Sequence, residues 1–223
     1  FGNEAKRRGA SILILKKNII KKISNKYEVR DVLKKLTSIS STIRNSSFLN
    51  VIGITGSSGK TSLKELLGQT MEKFSNIVYS KSSLNNKYGV PISLSEINLK
   101  TKFGVFEIGM DKEREIHSLS KIVKPDVGII TNITYAHSKN FKSLNHIAKA
   151  KSEIIDNINP NGTVILNYDD KFFNYFKKKA EKNKIKFISF GLNKKSDIHF
   201  IKKVKFGSNL KISISCLGNK FNF

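Results

Sequence analysis

The chain has one cysteine, Cys216, in 223 residues, which argues against a secreted domain built on disulfides. Long apolar runs are also missing. The longest uninterrupted run is four residues, as in "ILIL" at 12–15, against the roughly 20 that a membrane span needs. The opening "FGNEAKRRGA" lacks the apolar core of a signal peptide. Together these absences point to a cytoplasmic protein with no membrane span. Acidic residues are scarce, 17 Asp and Glu against 41 Lys and Arg, giving a net charge of +24. Such a charge could serve a nucleic-acid interface, where basic side chains neutralise phosphates and release counterions. Arginine is scarce too, however. Only Arg7, Arg8, Arg30, Arg44 and Arg114 are present, the other 36 basic residues are lysines spread along the chain, and no stripe of arginine runs beside aromatics. A solvated lysine surface explains this pattern better, and a basic nucleic-acid-binding protein stands as the non-enzymatic alternative. Internal repeats are absent. The chain begins without Met and ends at "GNKFNF", just after a strand-like run, so the expectation is a fragment.

A hydrophobic content of 39% supports one good core with room for part of a second domain. Residues 1–46 hold a helix-like start, a short strand "SILIL" at 11–15, and a helical segment at 29–43, too little to bury a core alone. From residue 47 onward short apolar runs alternate with segments of helical period. The runs are "FLNVIGI", "NIVYS", "FGVFEIG", "DVGIITN", "TVILN" and "IKFISFG", with helices from 61, near 113–123, at 143–158 and near 171–181. That alternation predicts an α/β fold with a mostly parallel sheet and crossover helices. Near the end, "LKISISC" alternates at period two and "GSN" at 207–209 can turn a hairpin, so antiparallel strands are expected there.

The stretch "NVIGITGSSGKT" runs an apolar strand into a glycine loop, and the helix after it carries Leu63, Leu66, Leu67 and Met71, read as one face. This is the context of a phosphate loop: backbone N–H groups at a helix N-terminus meet the anion, a lysine reaches the outer phosphates, and a hydroxyl holds Mg²⁺. The candidate residues are Gly56, Ser57, Ser58, Gly59, Lys60, Thr61 and Ser62. The loop is shorter than the usual eight-residue form, which would place glycine at Ile54.

Ligands of parallel α/β sheets gather at the carboxyl ends of the strands. Glu107 ends an otherwise apolar strand, where a buried carboxylate needs a cation, either Mg²⁺ or one of the many lysines. His137 follows the strand that ends at Asn132; imidazole is not a usual Mg²⁺ ligand, so chemistry alone makes it only a candidate. His117, His146 and His199 have no such placement and are expected at the surface. In the 143–158 helix the apolar stripe of Leu144, Ile147, Ala148, Ile154, Ile155 and Ile158 is broken by Lys151. A lysine there either snorkels outward or is buried with a lowered pKa, as a neutral amine able to take up CO₂ as a carbamate.

Five segments, in order and with their spacing intact, resemble the Mur ligase family: "GITGSSGKTSLKELL", "SLNNKYGVPISL", "FEIGMDKEREIHSLSKIVKPDVGIITNI", "AHSKNFKSLNHIAKAKSEII" and "GTVILNYDD". They cover about 51–170, and the second and third are most similar to the branch that adds D-alanyl-D-alanine. The resemblance implies an ATP-dependent amide-forming ligase of three domains, acting on UDP-N-acetylmuramoyl-tripeptide and D-alanyl-D-alanine through an acyl phosphate, as a monomer. Residues 1–46 would be the end of an N-terminal substrate-binding domain plus a connecting helix, and 47–223 a C-terminally incomplete ATP-binding domain, with the C-terminal domain absent. The resemblance further implies that Lys60 and Thr61 hold the phosphates and a first Mg²⁺. Glu107 and His137 would ligate metal, a carbamylated Lys151 would organise a second Mg²⁺, and Asn85 and Asn86 would line the substrate. Ser138, Lys139, Arg114 and Thr134 depart from the family pattern without removing a proposed ligand. Another Mur-type ligase or a folylpolyglutamate synthase-like enzyme is the enzymatic alternative; a GTPase or kinase would leave Lys151 unexplained.

Overall fold

A computed structural model describes residues 2–17, 24–135, 141–207 and 209–223. The chain opens with α1 (Gly2–Arg7) and two short parallel strands, β1 (Leu13–Lys16) and β2 (Lys26–Val29). The helical segment expected at 29–43 is α2 (Val32–Asn45). It starts later because Val29 pairs with Lys16 in β2, while the Asp31 carboxylate accepts from Lys34 N at 2.9 Å as the helix cap. Near the end of α2 the buried Arg44 donates from Nε to Val123 O and from Nη2 to Lys124 O, both at 2.8 Å, with Asp126 at 3.8 Å.

The rest is the expected α/β alternation: β3 (Asn50–Thr55), α3 (Lys60–Glu72), β4 (Ile77–Tyr79), α4 (Gly89–Ser95), β5 (Phe103–Glu107), α5 (Glu115–Val123), β6 (Val127–Ile130) and α6 (Leu144–Lys151). After a 3₁₀ segment at Ser152–Asn157 come β7 (Thr163–Asn167), α7 (Phe173–Lys182), β8 (Lys186–Gly191), β9 (Ile198–Phe206), β10 (Asn209–Cys216) and β11 (Asn219–Asn222). One nine-stranded sheet runs in the order β11-β10-β9-β8-β7-β6-β3-β5-β4. Its strands are parallel from β4 through β9, and antiparallel where β10 meets β9 and β11.

The order of strands locates the site. From β3 the chain first builds β4 and β5 on one side, then crosses to β6 and β7 on the other, so β3 lies beside the point where winding reverses. Clefts in such sheets open at the carboxyl ends of the strands at that point. Period-two alternation puts Ile54, Val105 and Ile129 on one face, under Leu63, Leu67 and Met71 of α3. Val51, Phe106, Ile130, Val164 and Leu166 join the larger core on the other.

Two sequence expectations change. Leu66 is not on the packed face of α3 but 64% exposed; the fully enclosed positions of that helix are Lys64 and Gly68. A single helix over 143–158 is replaced by α6 and the 3₁₀ segment. Ser152, Glu153, Ile154 and Ile155 are all buried, because the segment is wedged between α5 and α7, and a one-sided α-helical stripe cannot hide four neighbours. The short strands β2, β9 and β11 and the helix α4 were not separately visible in the sequence. No described helix is long and apolar enough to cross a membrane.

Candidate active site

β3 ends at Thr55 and the chain turns at Gly56, φ 148°, where a Cβ would lie 1.8 Å from Thr131 Oγ1. Only glycine fits so close to β6. The loop closes at Gly59, left-handed at φ 79°, which caps α3 without any side-chain bond. Between them Ser57 and Ser58 are stitched to the loop after β6. Ser57 N donates to Asn132 O at 2.9 Å and Ser57 Oγ to Thr134 O at 3.0 Å. Ser58 N and Oγ reach Asn132 Oδ1 at 3.1 Å, and Thr131 Oγ1 donates to Ser58 O at 2.7 Å. The loop is thus shaped from the neighbouring strand, with a 13-residue helix aimed at its mouth. Ser62 is exposed on the first turn of that helix.

Three charged groups converge there, one from a strand end and two from helix ends. Glu107, 1% exposed, is held by both oxygens: Thr61 Oγ1 donates to Oε2 and Asn85 Nδ2 to Oε1, each at 2.7 Å. Lys60 Nζ folds over the loop to Gly56 O at 3.0 Å. Burial lowers the Lys60 pKa, and the Glu107 charge partly restores it. From the opposite face of the sheet Lys151, 1% exposed, donates to the same Gly56 O at 2.8 Å. Burial first, and then the nearby Lys60 charge, pulls the Lys151 pKa down to about 7. The snorkelling alternative therefore fails: the side chain points into the site. Asn86 has a local task, its Oδ1 accepting from Tyr88 N and Gly89 N at 3.0 Å to start α4.

A cavity of about 390 Å³ is lined by Lys60, Lys151, Asn85, Asn86, Tyr88 and Lys112 among others. A larger cleft of about 500 Å³ lies against α6 and α7; Arg114, Lys149, Lys178 and Lys182 are among its lining residues, and Lys60, Glu107 and Lys151 are not. His137 lies outside the described residues. His117, His146 and His199 are partly buried rather than fully exposed, and none lines the cavity; His117 Nδ1 faces Asn157 and His199 Nδ1 faces Ser196 O.

The donor set suits a hard cation shared with phosphate. Among the described residues no three His, Cys, Asp or Glu side chains cluster, so a metal would rest on Glu107, Thr61 and oxygens brought by a nucleotide, as Mg²⁺ prefers. Thr55 Oγ1, next to Gly56, is the one buried side-chain polar atom without a partner among the described residues, which leaves bonding capacity free at this point. Sequence reasoning missed two supporting residues. Glu153 caps α5 by accepting from Arg114 N and His117 N at 3.0 Å, which steadies Arg114 in the left-handed region at φ 68°. Lys64 is the other, and the signal that flagged Lys151, a lysine within an apolar stripe, was there to find it.

The Mur ligase middle domain family matches residues 54–222. The chain is 36% identical over 222 residues to the UDP-N-acetylmuramoyl-tripeptide--D-alanyl-D-alanine ligase of Buchnera aphidicola subsp. Baizongia pistaciae, covering 99% of this chain and 46% of that protein. It is 40% identical over 179 residues to the ligase of the same name from Buchnera aphidicola subsp. Acyrthosiphon pisum, covering 80% of this chain and 38% of that protein. The crystal structure of MurF from Acinetobacter baumannii superposes with a TM-score of 0.86 at 28% identity, over 99% of this chain and 48% of that one. The chain therefore spans less than half the length of these relatives. With the family's domain matching three quarters of its length, the chain belongs to the Mur ligase family.

Proposed function

We propose that the protein carrying this chain is an ATP-dependent ligase that joins D-alanyl-D-alanine to UDP-N-acetylmuramoyl-tripeptide in peptidoglycan precursor synthesis. One observation carries this reading: Lys60, Lys151, Thr61 and Glu107, drawn from three elements, converge on the glycine loop. The printed names of the relatives support the choice of substrates. Residues 1–46 then complete an N-terminal substrate-binding domain with its connecting helix, 47–223 form the central ATP-binding domain, and this piece alone does not turn over. The single cysteine fits a cytoplasmic setting, and a monomer suffices for the chemistry.

In this reading the loop N–H groups and the α3 N-terminus bind the ATP phosphates, and Lys60 swings from Gly56 O onto the γ-phosphate. Bound Mg²⁺ supplies charge neutralisation on the transferring oxygens. Thr61 and Glu107 would hold it, with His137 as a further ligand. The tripeptide carboxylate attacks the γ-phosphorus; ADP leaves and an acyl phosphate forms. The amine of D-alanyl-D-alanine then attacks the acyl carbon, phosphate leaves, and the amine gives up its proton as the amide forms. Lys60 opposes the negative charge that builds in the first step. Asn85 and Asn86 face the cavity in which the acceptor peptide would lie. The neutral Lys151 amine attacks CO₂, a C–N bond forms and a proton is lost, leaving a carbamate that helps organise a second Mg²⁺.

The full-length protein supplied with ATP, the UDP-tripeptide and D-alanyl-D-alanine is expected to release ADP and phosphate, and Lys60→Ala to form no acyl phosphate. ADP release only with a different amine would assign another Mur-type reaction; tight, steeply salt-dependent DNA binding without ATP hydrolysis would support the nucleic-acid alternative. A ¹³C-bicarbonate-labelled carbamate resonance that disappears in Lys151→Met tests the modification.

A further inference from the structure

Lys64 lines no part of the cavity, yet it is 0% exposed and among the largest of the fully buried side chains. All three N–H groups of its ammonium find oxygens: Glu65 Oε1 at 2.6 Å, Ser80 O at 2.6 Å and Ser82 O at 2.7 Å. A buried lysine is costly unless fully bonded, and an aliphatic residue would fill the same space without that demand. The placement of its acceptors indicates what the ammonium does there.

Ser80 and Ser82 open the segment that joins β4 to α4. Ser80 is fixed to β5 at both ends of the residue, its N donating to Val105 O at 3.1 Å and its Oγ accepting from Glu107 N at 3.3 Å. Ser82 sits in the left-handed region at φ 49°, a conformation that a non-glycine residue keeps only when held. Three residues on, Asn85 O accepts from Gly109 N at 2.8 Å and Asn85 Nδ2 grips Glu107. Lys64 thus pins the start of a short segment whose end holds one oxygen of the carboxylate, while Thr61, one turn earlier on the same helix, holds the other.

We propose that Lys64 is a positioning residue for the metal-binding carboxylate. Through segment 80–85 and Asn85 it sets the orientation of Glu107, so α3 governs both oxygens, one directly by Thr61 and one at a distance by Lys64. The inference rests on the proposed function only in taking Glu107 as the group that meets the nucleotide-bound Mg²⁺.

The test is ADP binding by calorimetry, with and without Mg²⁺, in the full-length protein and in Lys64→Met, Asn85→Ala and the double variant. Lys64→Gln, which keeps a donor, guards against loss of the fold. Lys64→Met is expected to leave Mg²⁺-free ADP affinity within about 2-fold. It should raise the Mg²⁺ concentration needed for half-maximal tightening by about 10-fold, the usual scale for a residue behind a metal ligand. Asn85→Ala should do the same, the double variant should be no worse than Asn85→Ala alone, and Lys64→Gln should fall between. An unchanged Mg²⁺ dependence in a folded variant, additive effects in the double variant, an equal loss of Mg²⁺-free affinity, or a wild type whose ADP binding ignores Mg²⁺ would each overturn the proposal. A wild type that shows the Mg²⁺ coupling but makes no bond to D-alanyl-D-alanine would sink the ligase reading and leave the role of Lys64 intact.

Discussion

On the α3 face of the sheet Lys64 is closed in by three oxygens, two of them carbonyls of the segment that follows β4. On the α6 face Lys151 is equally buried, but among the described residues its hydrogen bond is to Gly56 O alone and its charged neighbour is Lys60. The first environment satisfies an ammonium and spends it on architecture. The second opposes the charged form, so the amine is poised to give up its proton near neutral pH. Burial alone therefore does not mark a reactive lysine; the count and sign of its partners do.

Changing Gly56 to Ala would disturb both lysines of the loop at once, and the largest effect is expected there. The added Cβ meets Thr131 Oγ1 at 1.8 Å and the backbone sits at φ 148°, so the variant should lose about 3 kcal/mol or more of stability in urea titration and bind no ADP. Wild-type-like stability would mean that the loop is looser than described. The next effect separates the lysines. Lys151→Met should abolish ligation yet raise stability at pH 6 by about 2 kcal/mol, since it replaces a poorly satisfied ammonium by an apolar chain. Lys64→Met should lower stability by about 2 kcal/mol at the same pH, leaving two carbonyls unpaired. The same sign for both would erase the distinction.

A smaller effect follows from pH. The Lys151 pKa lies at about 7 against 10.5 for the free side chain, so between those values the unfolded chain binds more protons than the folded one. Stability should rise with pH across that window and the penalty should be constant below pH 7. Lys60, also lowered, adds a slope of the same sign. Denaturation midpoints at pH 6, 8 and 9.5 should show the rise, reduced in Lys151→Met. Smallest of all, Leu66→Lys should change stability by less than about 0.5 kcal/mol, since Leu66 is 64% exposed.

The expectation for Leu66 marks what the sequence could not resolve. Leu63, Leu66, Leu67 and Met71 form one broad apolar arc, and periodicity does not say which edge of an arc meets solvent. Here the helix rolls so that Lys64 and Gly68 face inward and Leu66 outward. The same periodicity did reveal Lys151, because that lysine stands between Ile147 and Ile155, both fully buried. The glycine loop was readable because strand, turn and helix are adjacent in sequence, and Glu107 because a lone carboxylate ends an apolar strand. Asn85 and Glu107 are 22 residues apart, and their hydrogen bond was not legible in the sequence: the resemblance gave Asn85 only as a substrate-lining residue. The 3₁₀ segment escaped because its four neighbouring buried residues answer to α5 and α7 rather than to local preference. β11 escaped because all four of its residues are exposed and carry no alternation. His137 lies outside the described residues.

Arg44 has a mechanical consequence. By gripping the carbonyls at which α5 ends, it welds α2 to the nucleotide-side body as a fixed strut. Removing that guanidinium would leave two carbonyls beside α2 without their donor and loosen the helix from α5.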